Sequence, residues 1–197
     1  MSLPYVKYDD DASAMSVSTD PNDDSLQQAV NDTYAWSLEH GMVLNATKSK
    51  EMCVVFTKAI DKQFITPINI NNEIVERVTS FKLLGVIIRC DLSWQEHVDY
   101  IITKASKRFY VLCQLKRSGV CNLDIIAVYC SLIRSVVEYA SPVWHSGLTK
   151  NQSDLIEGVQ KRCLRIIFPE LSYSVAIQLA GLELLSVRRE ATYRNLF

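Results

Sequence analysis

No stretch of the sequence approaches the ~20 apolar residues that a membrane-spanning helix needs, so no membrane partner is expected. The opening MSLPYVKYDDD lacks the charged-then-apolar pattern of a secretory leader, which points to an intracellular chain, in cytoplasm or nucleus, that is not secreted. There is no CxxC pair and no histidine at zinc-ligand spacing from a cysteine. The six cysteines (Cys53, Cys90, Cys113, Cys121, Cys130 and Cys163) therefore read as reduced, mostly buried thiols. The three histidines, His40, His97 and His145, stand far apart without a carboxylate or thiol grouping, and none is assigned chemistry. No internal repeat and no low-complexity linker is present.

What is present is an ordinary globular composition, 48% hydrophobic and 22% charged, long enough for one good core or two small ones. The net charge of -1 conceals a division. Residues 1–99 carry 8 Lys+Arg against 15 Asp+Glu, a net of -7, and residues 100–197 carry 13 against 7, a net of +6. An acidic half joined to a basic half suits a chain that holds cations in one part and phosphates in the other.

The hydrophobic pattern divides the chain similarly. LPYVKYDDDASAMSVS reads as two short strands around an acidic turn. A helix follows, with a capping-box pattern at Ser25 and Gln28 and a stop at Gly41. EMCVVF, ININ, EIVERV and FKLLGVII then read as strands, with Asn71-Asn72 as a hairpin turn. From Asp91 onward the pattern is helical. One long helix starts at a second capping box, Ser93 and Glu96, and carries the apolar stripe Val98, Ile101, Ala105, Phe109 and Leu112. A helix capped by Asn122 runs until Pro142 and Gly147 break it. Another begins at the Thr149/Gln152 capping box and ends before Pro169, and shorter helices lie around 175–179 and 187–193. Trp36, Trp94 and Trp144 read as packing anchors. The expected class is α+β, a β-rich half of about residues 1–89 followed by an all-helical half of about 90–197.

Three adjacent aspartates, Asp9, Asp10 and Asp11, repel one another unless water screens them or a cation sits between them. At the tip of a strand–turn–strand, two carboxylates suit Mg²⁺, which takes a few carboxylates and keeps water or phosphate oxygens besides. A solvated turn is the competing reading. On the helical side, Lys104, Lys107 and Arg108 lie at i, i+3 and i+4 away from the apolar stripe, and Lys161, Arg162 and Arg165 cluster on a later helix. Such stripes suit phosphate-backbone tracking without base reading. An ordinary solvated helix face is the alternative for each residue singly.

KYDDDAS resembles the Tyr-x-Asp-Asp box of reverse transcriptases, with Tyr8 at the aromatic position and Asp10 and Asp11 as the pair. It is followed in order by WSLEHGMVLNATKSKEMCVVF, RVTSFKLLGVIIRCDLSWQEHV and LIRSVVEYASPVWHSGLTKNQSDLIEGVQKRCLRIIF. These resemble successive segments of the reverse transcriptases of non-LTR (LINE-type, jockey- or CR1-like) retrotransposons. The resemblance implies the C-terminal part of a polymerase palm over residues 1–89 and a thumb-like helical domain over 90–197. It implies an RNA template and a DNA primer as partners, and two-metal nucleotidyl transfer with Mg²⁺ as cofactor. Asp10 and Asp11 would be the catalytic metal ligands, with Tyr8 near the primer end and incoming nucleotide. Lys48 would meet the departing pyrophosphate. Phe81, Leu84 and Gly85 would build the hairpin that grips the primer, although Phe81 and Leu84 read more readily as core residues.

Two features depart from the family pattern. Asp9 stands where the family has a small or apolar residue. The fingers, the first palm strands and the earlier aspartate of the metal site have no counterpart in the sequence. The expectation is a fragment without polymerase activity by itself, and the rival is a non-catalytic, nucleic-acid-binding or structural remnant.

Overall fold

The computed structural model describes residues 5–8, 11–18, 20, 23–56 and 65–196, with the backbone alone for 5–8 and 11. These residues form helices and short strands paired in small two-stranded sheets. The chain divides into two compact units, residues 1–82 with 89–92, and residues 83–88 with 93–197.

In the first unit, β1 (Tyr5–Tyr8) and β2 (Asp11–Ala14) pair antiparallel, from Tyr5 opposite Ala14 to Tyr8 opposite Asp11. The helix α1 (Ser25–Glu39) ends at Gly41, whose φ of +69° is the left-handed turn that a glycine stop supplies. The capping box expected at its start is absent. Ser25 is already helical, and Asp23 Oδ1 accepts its N–H at 2.9 Å. Trp36, expected as a packing anchor, is 47% exposed and stacks on the ring of His40.

The strands that follow are shorter than their apolar pattern suggests. β3 is only Lys50–Glu51, and residues 53–56 are not in a strand. β4 (Asn69–Ile70) and β5 (Glu73–Ile74) form the expected hairpin. Asn71 and Asn72 both take positive φ, 51° and 64°, as a two-residue hairpin turn of this hand requires. Gln27 of α1 docks on this hairpin by copying a strand edge: its Oε1 accepts the Asn69 N–H at 2.8 Å and its Nε2 donates to the Asn69 carbonyl at 2.9 Å. β6 (Glu76–Arg77) pairs parallel with β3 and places opposite charges directly across. Lys50 meets Glu76 at 2.5 Å, and Arg77 grips the buried Glu51 with two bonds of 3.2 and 3.0 Å. β7 (Ser80–Leu83) and β8 (Val86–Arg89) form the last hairpin, whose tip belongs to the second unit.

The second unit holds the apolar core. Its first helix is two: α2 (Gln95–Ser106) and α3 (Phe109–Arg117), interrupted at Lys107-Arg108. At the interruption the backbone tightens to i→i−3 bonds, Arg108 N–H to the Ala105 carbonyl at 2.9 Å and Val111 N–H to the Arg108 carbonyl at 3.1 Å, and the Arg108 guanidinium donates to the carbonyl of Leu132. α2 begins behind Trp94 rather than at a Ser93 cap. The stripe Val98, Ile101, Ala105, Phe109 and Leu112 is nonetheless continuous and buried. It packs on α7 (Lys150–Ile167), which contributes Ile156, Val159, Cys163, Leu164 and Ile167 to the same core. Each such large side chain contributes about 1.5–3 kcal/mol when fully buried.

Between them α4 (Asn122–Val128), capped by Cys121 rather than Asn122, continues as a π-helical stretch Tyr129–Arg134 and one further turn, α5 (Ser135–Val137). Ala140, at φ +51°, turns the chain into α6 (Ser141–Trp144), so Pro142 lies near the start of a helix rather than ending one. α7 starts with the capping box expected of Thr149 and Gln152, both bonds present at 3.2 and 2.8 Å. α8 (Tyr173–Leu179) and α9 (Leu185–Arg194) complete the unit. All six cysteines are free thiols.

Candidate nucleic-acid interface

Of the residues expected at a metal site, Asp10 lies outside the described residues, as does Asp9. Asp11 and Tyr8 are described by their backbone, which pairs them across β1 and β2. Among the described residues, no group of three or more histidine, cysteine or acidic side chains gathers to hold a metal ion, a statement that does not extend to Asp10. Lys48 lies in a turn after α1, exposed, where its N–H bonds Asn45. Its neighbour Lys50 is held by Glu76.

Phe81 and Leu84 are surface residues, 39% and 46% exposed, which corrects their reading as core. Leu84 and Gly85 form the tip of the β7–β8 hairpin, both in left-handed backbone conformation, at φ 46° and 87°. Within the second unit that tip is held in two places. The phenol of Tyr139 donates to the Leu84 carbonyl at 2.9 Å, and Nδ1 of His97 accepts the Ile87 N–H at 3.3 Å. The close approach that Gly85 permits is therefore to the ring of Tyr139, since a Cβ there would lie 3.1 Å from Tyr139 Cε1. Nothing local in the sequence announces this: Tyr139 and Leu84 are 55 residues apart.

His97 accepts at Nδ1, so its proton sits on Nε2, which is buried without a partner. Burial holds its pKa below the usual histidine value, and the ring rests against Trp94 and Trp144. Trp94 is a packing anchor as expected, closely apposed to Gly147, and Trp144 is fully buried.

One cation of the α7 cluster reaches the start of α3. The guanidinium of Arg162 lies 5.1 Å above the ring of Phe109, the residue that follows Lys107 and Arg108. A helix-to-helix contact thus places part of the α7 cluster beside the corner between α2 and α3. Lys104, Lys107, Lys161, Arg162 and Arg165 are exposed. Lys104 and Lys161 lie over the rings of Tyr100 and Tyr173, at 5.8 and 5.4 Å, where a cation–π contact orients an ammonium without removing it from water. Arg108 alone departs from the expectation, because its guanidinium is committed to the Leu132 carbonyl and is a structural residue. The remaining five cations are exposed on α2, at the α2–α3 corner and on α7.

Behind this surface a buried polar network fixes α7. Tyr129 donates to Gln160 Oε1 at 2.7 Å. Gln160 Nε2 donates to Tyr173 and to the Glu183 carbonyl at 2.9 and 3.0 Å, and Tyr173 donates to Glu157. Burial pushes the phenols of Tyr129 and Tyr173 upward, and for Tyr173 the bond to Glu157 adds to it, so both remain neutral donors. Sequence pattern missed this network, since glutamine and glutamate in a helix with basic neighbours read as solvated.

The chain matches no protein-family model, no curated protein and no solved structure. No helix among the described residues is long and apolar enough to cross a membrane.

Proposed function

We propose that the chain is the C-terminal palm and thumb portion of an RNA-directed DNA polymerase of the non-LTR retrotransposon type, and that these residues by themselves hold an RNA–DNA hybrid without extending it. What supports the nucleic-acid part is the exposure of Lys104 and Lys107 at the end of α2 and of Lys161, Arg162 and Arg165 on α7, with Arg162 reaching the Phe109 ring at the start of α3. The ordered sequence resemblance supports the polymerase part, and the pairing of Tyr8 with Asp11 across β1 and β2 is compatible with it. In this reading Asp10 and Asp11 are the residues that would hold Mg²⁺, and Lys48 is the cation available to a pyrophosphate.

Fluorescence anisotropy with a labelled RNA–DNA hybrid tests the reading. Binding should be sequence-independent and in the range of about 10⁻⁴ to 10⁻⁶ M at physiological salt. Extension of a primed RNA template with Mg²⁺ or Mn²⁺ should stay at background. Extension abolished by Asp10→Ala would replace this reading with a complete polymerase site, and absence of hybrid binding would remove the nucleic-acid role altogether.

A further inference from the structure

We infer that the first unit carries a cleft for an unpaired adenine base, at the seam between α1 and the β4–β5 hairpin. The choice of a nucleobase as its ligand rests on the nucleic-acid reading proposed above. Gln27, Asn31 and Tyr34 stand at i, i+4 and i+7 and so share one face of α1. Together with Asn69, Asn71 and Asn72 of the hairpin they line a cleft of about 560 Å³. Small-molecule sites run from roughly 300 to 1,000 Å³. None of the six lining side chains is charged, so the cleft offers no counter-charge to a phosphate or a carboxylate.

Its walls are fastened without any ligand. Gln27 is committed to structure: besides its two bonds to the Asn69 backbone, its Nε2 donates to Asn31 Oδ1 at 2.8 Å. The polar groups left over are neutral and of both kinds. Asn31 keeps its Nδ2, and the Asn71 and Asn72 amides and the Tyr34 hydroxyl have no hydrogen bond among the described residues. The turn itself does not require either asparagine, because glycine serves both left-handed positions, at φ 51° and 64°.

A side-chain amide presents a donor and an acceptor side by side in one plane. Its complement is a ring edge with an acceptor beside a donor, the pairing by which Asn and Gln read N7 and N6 of adenine. An unpaired adenine offers such a pair on two edges, N6 with N7 and N6 with N1. The N7/O6 edge of guanine has acceptors alone. The half-buried ring of Tyr34 adds an aromatic surface on which a base can lie. A fully paired hybrid has no free base, so the cleft takes no part in the sequence-independent binding expected of the basic helices.

Adenosine, which carries no phosphate, is the probe, titrated into the whole ¹⁵N-labelled chain. The side-chain amide signals of Asn31, Asn71 and Asn72 should shift and saturate, and uridine or glucose at the same concentrations should shift them far less. Asn71→Gly/Asn72→Gly keeps the turn and removes two amides, so the melting curve should hold. Affinity for adenosine, read at Asn31, should fall about fivefold or more, the loss of one amide–base pair. Signals unmoved by adenosine overturn the inference, as does equal movement by uridine or glucose, or an unchanged affinity in the double variant. A chain that takes adenosine but no hybrid overturns the earlier reading and keeps the cleft. One that binds the hybrid while adenosine leaves these signals in place overturns the cleft alone.

Discussion

Oε2 of Glu157 accepts the backbone N–H of Leu185 at 3.0 Å, a bond buried at both ends that fastens the start of α9 to the middle of α7. The other oxygen of the same carboxylate takes the Tyr173 hydroxyl and the Gln160 amide. One acidic side chain thereby fixes the last two helices on the core, and its worth lies in what is stranded without it.

Glu157→Ala should lower the stability of the helical unit by about 2–3 kcal/mol, because hydrogen bonds to a charged group are lost and buried donors are left unmade. Glu157→Gln should cost less, since its amide oxygen still accepts. Urea unfolding followed by circular dichroism reads the difference. Equal midpoints for the parent and Glu157→Ala would mean that water satisfies these donors.

Gly147→Ala should destabilise the same unit. A Cβ there would meet the Trp94 indole at 2.3 Å from Nε1 and 2.7 Å from Cδ1, and that ring packs against the core. Overpacking of this kind costs about 1–3 kcal/mol. Trp94→Phe in the Gly147→Ala background should restore part of the loss, and thermal melts of the single and double variants would show it.

Acid should loosen the helical unit through His97. Burial depresses its folded pKa below the ordinary histidine value of 6.5, so the unfolded state takes up the proton more readily. The stability from keeping His97 neutral is complete above about pH 6.5 and is lost as pH falls from there toward the lowered folded pKa. Protonation also ends its acceptance of the Ile87 N–H. The urea midpoint should drop between about pH 7.5 and 5 by more in the parent than in His97→Gln. Parallel curves for the two proteins would exclude His97 as the cause.

Thiol chemistry should separate core from surface. Cys163 is fully buried, and burial pushes its pKa up to about 12, which suppresses the reactive thiolate. Cys121 is exposed at the start of α4. Peptide mapping after brief alkylation should find Cys121 modified and Cys163 untouched until denaturant is added. Equal native rates would contradict the packing of α7.

Local patterns were legible in the sequence where local chemistry decides them. Thr149 sits in extended backbone, φ -74° and ψ 158°, so its hydroxyl reaches the N–H of Gln152 and the capping box closes. Ser25 and Gln28 have the same spacing, but the residue before them, Asp24, is at ψ 5° and the helix has already begun. The apolar stripe from Val98 to Leu112 was legible because burial follows helical period. The interruption at Lys107-Arg108 was not, because the apolar period runs through it unbroken, and neither was the bond of Arg108 to a carbonyl 24 residues away. Lys107 and Arg162 were legible as cations on helix faces, but the seat of Arg162 over the Phe109 ring depends on how α3 packs on α7. The hold of Tyr139 on Leu84 is likewise a tertiary fact, invisible to any window of sequence.

Whether the exposed basic clusters hold nucleic acid is decided by the salt dependence of hybrid binding in Lys107→Gln/Arg162→Gln/Arg165→Gln. Each phosphate contact contributes about 0.7 to 0.9 to the slope of log affinity against log salt, so the triple change should flatten it by about two units. Arg108→Gln should instead destabilise the helical unit and leave the slope of the folded protein unchanged, since Arg108 serves the Leu132 carbonyl. A triple variant with the parent's slope and affinity would show that these basic clusters do not hold nucleic acid.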